Sequence, residues 1–101
     1  MGAQVIRHVV TFRWHQDTTD EQKQRVVDEL QALPPLMHGL VSFNLGADLG
    51  LVDGNADFAL TADFDDADAY LAYRNHPEHQ AVLQRTINPI VAQRAGVQFE
   101  I

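Results

Sequence analysis

The sequence contains no cysteine, which excludes disulfide bonds, thiolate metal ligands and cysteine nucleophiles. No stretch approaches the roughly 18 consecutive apolar residues that a membrane-spanning helix needs. Basic residues are also few, 7 against 14 acidic ones, and they are scattered along the chain. Phosphate recognition requires a basic face, and an anionic membrane surface repels an acidic protein. We therefore expect no nucleic-acid partner and no membrane partner, and by elimination a small, apolar ligand is favoured.

The length of 101 residues indicates one domain, residues 1–101, whose hydrophobic core is adequate but thin. Pairing with a second copy would cover surface that one layer of helices leaves open, so a homodimer is expected. Residues 1–4 run directly into a strand pattern without a basic segment and a long apolar run. This pattern lacks the features of a signal peptide, and the cytoplasm is the expected location.

Four strands are predicted from alternating apolar residues. The first covers residues 4–15, the second follows Gly39, the third covers about 56–65 and the last covers 94–101. Their apolar rows, which we expect to face the helices, are Ile6, His8, Val10, Phe12 and Trp14, then Val41, Phe43 and Leu45, then Phe58, Leu60, Ala62 and Phe64, then Ala95, Val97, Phe99 and Ile101. The opposite row is half polar, and Gln98 and Glu100 are placed there; such a face suits pairing with a second sheet or simple exposure to solvent.

Two helical regions separate these strands. Cap residues at 18–22 predict the start of the first helix, and Pro34 and Pro35 end it. Acidic residues at 65–68 open the second, which pauses at Pro77 and should break at Pro89. The glycine-rich segment 46–55 is predicted to be a connecting loop, with a lid over a pocket as an alternative. The order β-α-β-β-α-β predicts an α+β, ferredoxin-like fold: a four-stranded antiparallel sheet with its helices on one face.

Three side chains are candidates for catalysis: His8, Tyr73 and His79. His8 lies in an apolar strand row, so its ring should be under the helices, where a buried polar group must find a partner. His79 precedes Leu83 by four residues on the apolar helical stripe, and Tyr73 comes just before the Pro77 break. Imidazole titrates near physiological pH, and a phenol can stabilise an oxyanion without a cofactor. The alternative for His8 is a core histidine satisfied by one hydrogen bond.

Other residues are candidates for the wall of a pocket. Phe12 and Trp14 are either core residues or substrate-binding residues, and Leu83 lies on the stripe that faces the sheet. His76 is a candidate substrate contact that could instead cap the helix beginning at Pro77. His76 and His79 are also spaced as a metal pair, but most metal sites need three or more ligands, so no metal is expected.

Four segments resemble the stress-responsive A/B barrel family, called Dabb. They are VIRHVVTF at 5–12, DFAL at 57–60, YRNHPEH at 73–79 and VQFEI at 97–101, in that order along almost the whole chain. The resemblance implies a dimeric α+β barrel in which two four-stranded sheets face each other. One plant member of the family is a polyketide cyclase that closes a linear polyketone by a cofactor-free aldol reaction. By this resemblance His79 would be the general base, Tyr73 would hydrogen-bond the developing oxyanion, and His8 would be the strand histidine of the pocket.

Three functions remain open from the sequence. The first is a binding protein whose pocket between sheet and helices holds a small apolar or carbonyl-containing compound. The second is a cofactor-free cyclase, isomerase or lyase acting through Tyr73 and His79. The third is a structural role through higher assembly. The first is favoured because it demands least of the pocket.

Overall fold

The computed structural model describes residues 4–101; Met1 to Ala3, although part of the predicted domain, lie outside the described residues. Its strands are β1 (Ile6–Trp14), β2 (Leu40–Ala47), β3 (Phe58–Phe64) and β4 (Val91–Glu100). Its α-helices are α1 (Asp20–Gln31), α2 (Ala67–Asn75) and α3 (Pro77–Val82). A 3₁₀ turn, Pro34–Leu36, follows α1, and a π-helical stretch, Leu83–Ile87, follows α3.

The four strands form one sheet in the order β2-β3-β1-β4, and each neighbouring pair is antiparallel. The helices cover one face of this sheet, which is the ferredoxin-like arrangement predicted from the sequence. Among residues 4–101, no helix is long and apolar enough to cross a membrane.

The helix starts follow the local sequence signals. Thr19 and Gln22 form a capping box, in which each side chain bonds the other residue's backbone N–H. The Asp66 carboxylate accepts the N–H of Ala69 at 2.8 Å and so begins α2. Pro77 occupies the first turn of α3, where its missing N–H costs nothing. These starts were predicted, and the structure confirms them.

The hydrophobic core lies between the helices and the inner rows of β1 and β3. The predicted inner residues of β3 are all buried, as are Val10, Phe12 and Trp14 of β1. The helical side chains that pack on these rows are Val26, Leu30 and Leu33, in and just after α1, and Val82 and Ile87, at the end of α3 and of the π-helical stretch. Burial of these side chains, at about 25 cal/mol per Å² of apolar area, holds the helices on the sheet.

The prediction for the last strand is wrong about which row of side chains faces the helices. The register pairs Gln98 with His8 and Gly96 with Val10, and residues that pair directly across antiparallel strands point to the same side. Gln98 therefore faces the helices together with Glu100, and the apolar residues face outward. The register alone distinguishes the two rows, because both are exposed in β4, with Val97 at 55% and Phe99 at 45%. The strand also starts earlier than predicted, at Val91 rather than Arg94.

A register shift between Leu40 and Ser42 accounts for a second correction. Leu40 pairs with Phe64 on the inner face, and Val41, predicted to point inward, is 58% exposed. Phe43 and Leu45 do pack against the core as predicted. The strand continues through Gly46 to Ala47, and β3 begins at Phe58, so the connecting loop covers residues 48–57 instead of the predicted 46–55.

Candidate functional site

A cavity of about 370 Å³ opens between the helices and the half of the sheet formed by β1 and β4. Its size lies in the range of small-molecule sites. The space exists because β4 carries no large apolar side chain opposite His8, Val10 and Phe12: Gln98, Gly96 and Arg94 stand there. Because Gly96 has no side chain, only backbone atoms form the centre of that wall.

The structure brings His8, Tyr73 and His79 to this cavity. The ring centroids of Tyr73 and His79 are 4.3 Å apart, and those of His8 and Tyr73 are 6.2 Å apart. His8 comes from the first half of β1, Tyr73 from the last turn of α2 and His79 from the first turn of α3. The backbone turn at His76 between the two helices places Tyr73 and His79 next to each other.

The hydrogen bond of His79 defines the state of its ring. His79 Nδ1 lies 3.1 Å from the carbonyl oxygen of Arg74. A carbonyl only accepts, so Nδ1 carries the proton, and Nε2 of the neutral ring keeps a free lone pair. His79 can therefore act as a proton acceptor through Nε2.

His8 has the opposite arrangement. The amide nitrogen of Gln98 donates to His8 Nδ1 at 2.9 Å, so the proton of the neutral ring is on Nε2. The two imidazoles thus offer different chemistry to the cavity, a donor from His8 and an acceptor from His79. Tyr70, one turn before Tyr73, lies against the His8 ring at a centroid distance of 5.0 Å.

Burial keeps these groups uncharged. Desolvation, with a smaller contribution from His79, lowers the pKa of His8 to about 4. Desolvation also lowers the pKa of His79, and the positive charges of Arg94 and Arg74 add to the effect. Burial raises the pKa of Tyr73, so its hydroxyl stays protonated and can donate a hydrogen bond. At neutral pH His8 and His79 are therefore neutral imidazoles, and Tyr73 is a neutral phenol.

The other predicted site residues divide into two groups. Phe12 and Leu83 line the cavity. Trp14 is not on the cavity wall; it stacks on Phe12 at 5.4 Å and belongs to the core. His76 is not on the wall either, because its Nδ1 accepts the N–H of Glu78 and caps α3. Capping was the alternative considered for His76 from the sequence.

Sequence reasoning missed several wall residues: Tyr70, Arg74, Gln80, Arg94 and Gln98. A signal existed for Tyr70, since it precedes Tyr73 by three residues and shares its helix face. Arg94 and Gln98 could be placed on the wall only from the register of β4 against β1. Within residues 4–101, no group of three or more His, Asp or Glu side chains is arranged to hold a metal ion.

The chain belongs to a known family: residues 6–101 match the model of the Stress Responsive A/B Barrel Domain, Dabb. Among solved structures, it resembles a dimeric ferredoxin-like protein of unknown function from Thermobifida fusca, with 42% identity and a TM-score of 0.91 over 98% of this chain and 92% of that one. A Dabb family protein from Mesorhizobium loti matches with 21% identity and a TM-score of 0.79 over 97% of both chains.

A hydroxynitrile lyase from Passiflora edulis has the same fold, with 16% identity and a TM-score of 0.84 over 97% of this chain and 94% of that one. No curated protein matches the sequence. The identity to the lyase is low enough that the likeness concerns the fold alone.

Proposed function

We propose that this Dabb protein binds a small apolar or carbonyl-containing compound in the cavity between its sheet and its helices. The observation that carries the proposal is the composition of the wall, where aliphatic and aromatic side chains lie beside the converging polar groups of His8, Tyr73 and His79. The Nε2–H of His8 and the hydroxyl of Tyr73 are donors suited to a carbonyl oxygen. Native mass spectrometry of the freshly purified protein tests this, and a co-purified compound is the expected result.

The protein is further proposed to work as a homodimer through the outer face of the sheet. Val9 and Val97 form a direct cross-strand pair there, with Phe99 beside them. Exposed apolar groups of this kind on a sheet face favour association with a second sheet. The Thermobifida fusca protein, at 42% identity, is described as dimeric, which supports the same state here. The cytoplasmic location expected from the sequence stays a prediction.

An alternative function is cofactor-free catalysis on a carbonyl compound, as in a cyclase, isomerase or lyase. The close Tyr73–His79 pair favours it, because one ring offers a lone pair and the other a hydroxyl proton. His79 Nε2 would remove a proton from the carbon next to the carbonyl, and the electron pair would move to the oxygen. Tyr73 would donate a hydrogen bond to that oxygen, and the imidazolium would return the proton to the product.

Exchange of the methyl protons of acetophenone in D₂O, followed by proton NMR, tests this step without knowledge of the natural substrate. If His79 is a base, the wild type exchanges faster than buffer, and His79→Gln loses most of the excess rate. His38→Gln is the matched control, since His38 is exposed and does not line the cavity. Exchange by His79→Gln at the wild-type rate would refute the assigned base, and exchange no faster than buffer would favour binding alone.

A further inference from the structure

The charges on the cavity wall are opposite in sign to those of the protein. The chain has a formal net charge of −7, with 14 acidic residues. Among the described residues, 4–101, no Asp or Glu lines the cavity, whereas Arg74 and Arg94 do. In a chain with twice as many acids as bases, a wall with two guanidinium groups and no carboxylate provides a local positive field.

Arg94 is held in a defined position at this wall. It extends from the inner row of β4, opposite Phe12, and its guanidinium carbon lies 5.7 Å from the centre of the Phe12 ring. Its Nη2 donates to the side-chain oxygen of Asn88 at 3.0 Å. A guanidinium has five N–H donors, so most of the planar fork is left for another acceptor. Such a fork matches the geometry of a carboxylate.

Arg74 approaches the cavity from the opposite side. It lies in the last turn of α2, and its charge affects the pKa of both Tyr70 and His79. Within residues 4–101 its only side-chain hydrogen bond is a long one, 3.4 Å, to Asn75. Arg7, Arg25 and Arg85 each pair with a carboxylate, whereas Arg74 and Arg94 pair with none among the described residues.

We propose that the ligand of the cavity is an organic anion, an apolar or aromatic body carrying a carboxylate that Arg94 binds with the help of Arg74. The inference rests on the proposed function, since it names the class of compound that the same cavity takes. The aromatic wall, with Tyr70 and Phe12, would hold the apolar body, and the carboxylate would lie beside Arg94, within the positive field of Arg74. A ligand carbonyl would then be directed toward His8 and Tyr73.

Matched pairs of acid and amide test the effect of the ligand's charge separately from that of its shape. The probes are benzoate with benzamide and octanoate with octanamide, titrated into the full-length protein and followed by ¹⁵N NMR and calorimetry. The acids are expected to bind about tenfold or more tightly than their amides, because charge-assisted, bidentate hydrogen bonds are roughly twice as strong as neutral ones. Their affinity should fall as salt rises, and that of the amides should not.

Substitutions then assign the effect to a residue. Arg94→Gln should remove most of the preference for the acid and leave amide binding unchanged, and Arg74→Gln should remove a smaller part. Arg25→Gln is the matched control, with the same loss of charge on the exposed face of α1. It should retain the preference, and circular dichroism with thermal unfolding confirms that each variant is folded.

The outcomes separate this inference from the function on which it rests. Equal affinity for acid and amide, or an unchanged preference in Arg94→Gln, would overturn the anion proposal while the binding function stands. Equal loss in Arg25→Gln would show a nonspecific charge effect and would also overturn it. If neither member of either pair binds at millimolar concentration, both the cavity's binding function and the anion proposal fail.

Discussion

The same small change, glycine to alanine, should have opposite effects at two places in this fold. Gly39, which leads into β2, has a φ of 79°, and a Cβ added there would lie 2.7 Å from the Cβ of Ala69 on α2. Gly96, in the middle of β4, has no positive φ. A Cβ added there meets its nearest atom, the carbonyl oxygen of Val9, at an ordinary 3.7 Å.

The expected magnitudes follow from these geometries. At Gly39 the left-handed backbone costs about 1–2 kcal/mol for a residue with a Cβ. The overlap adds roughly 1–3 kcal/mol, because the carbonyl of Gly39 also accepts the N–H of Asp65 at 2.8 Å and resists displacement. Gly96→Ala should instead stabilise by about 0.5–1 kcal/mol, since alanine loses less backbone entropy in a strand. The two variants should therefore differ by about 3 kcal/mol or more in free energy of unfolding.

Urea unfolding measures this difference, and one fixed protein concentration keeps the contribution of association equal in the two variants. In thermal unfolding, Gly39→Ala should lower the Tm by about 8 °C or more, given roughly 4–8 °C per kcal/mol for a domain of this size. A Gly39→Ala protein within about 0.5 kcal/mol of the wild type would refute the close approach of β2 and α2. A Gly96→Ala protein that is strongly destabilised would refute the open wall of the cavity.

Two further predictions concern the cavity and the outer face. Because the pKa of His8 is about 4 in the folded state against 6.5 for the free side chain, unfolding takes up a proton below pH 6.5, and stability is lost as the pH falls from 6.5 toward 4. His8→Gln should reduce the loss of unfolding free energy between pH 7 and pH 5.5 by about 0.5–1 kcal/mol, allowing for the partial exposure of the ring. Urea unfolding at the two pH values measures this loss. The same loss in His8→Gln as in the wild type would contradict the neutral, largely buried imidazole. Phe99→Glu should shift the protein from dimer to monomer in analytical ultracentrifugation, with the exposed Leu71→Glu on α2 as control; a dimer that survives Phe99→Glu would place the interface elsewhere.

Local signals were enough to predict most of the elements. The capping box at Thr19 and the prolines at 34 and 77 mark helix ends through backbone chemistry that acts over a few residues. The alternation in β1 and β3 also predicted the inner face, because each strand has one row far more apolar than the other. The ferredoxin-like order followed from these elements.

The face of β4 could not be predicted in this way. Alternation divides a strand into two rows, but it does not decide which row faces the helices. The rule that the apolar row faces the core fails here because the outer sheet face is itself apolar around Val9 and Val97. Only the pairing of β4 with β1 reveals that the polar residues Arg94 and Gln98 point inward.

This reversal of β4 is what makes a site possible. Had Val97 and Phe99 faced the helices, their side chains would have filled the space beside His8, and the imidazole would have been a packed core residue. Gly96 and Gln98 instead leave a cavity in which Gln98 fixes the His8 proton on Nε2. The same choice of row supplies Arg94 to the wall and an apolar surface to the outer face. One strand therefore supplies both the polar wall of the proposed ligand site and the apolar surface of the proposed dimer. A one-residue slip of β4 would exchange its two rows and remove both.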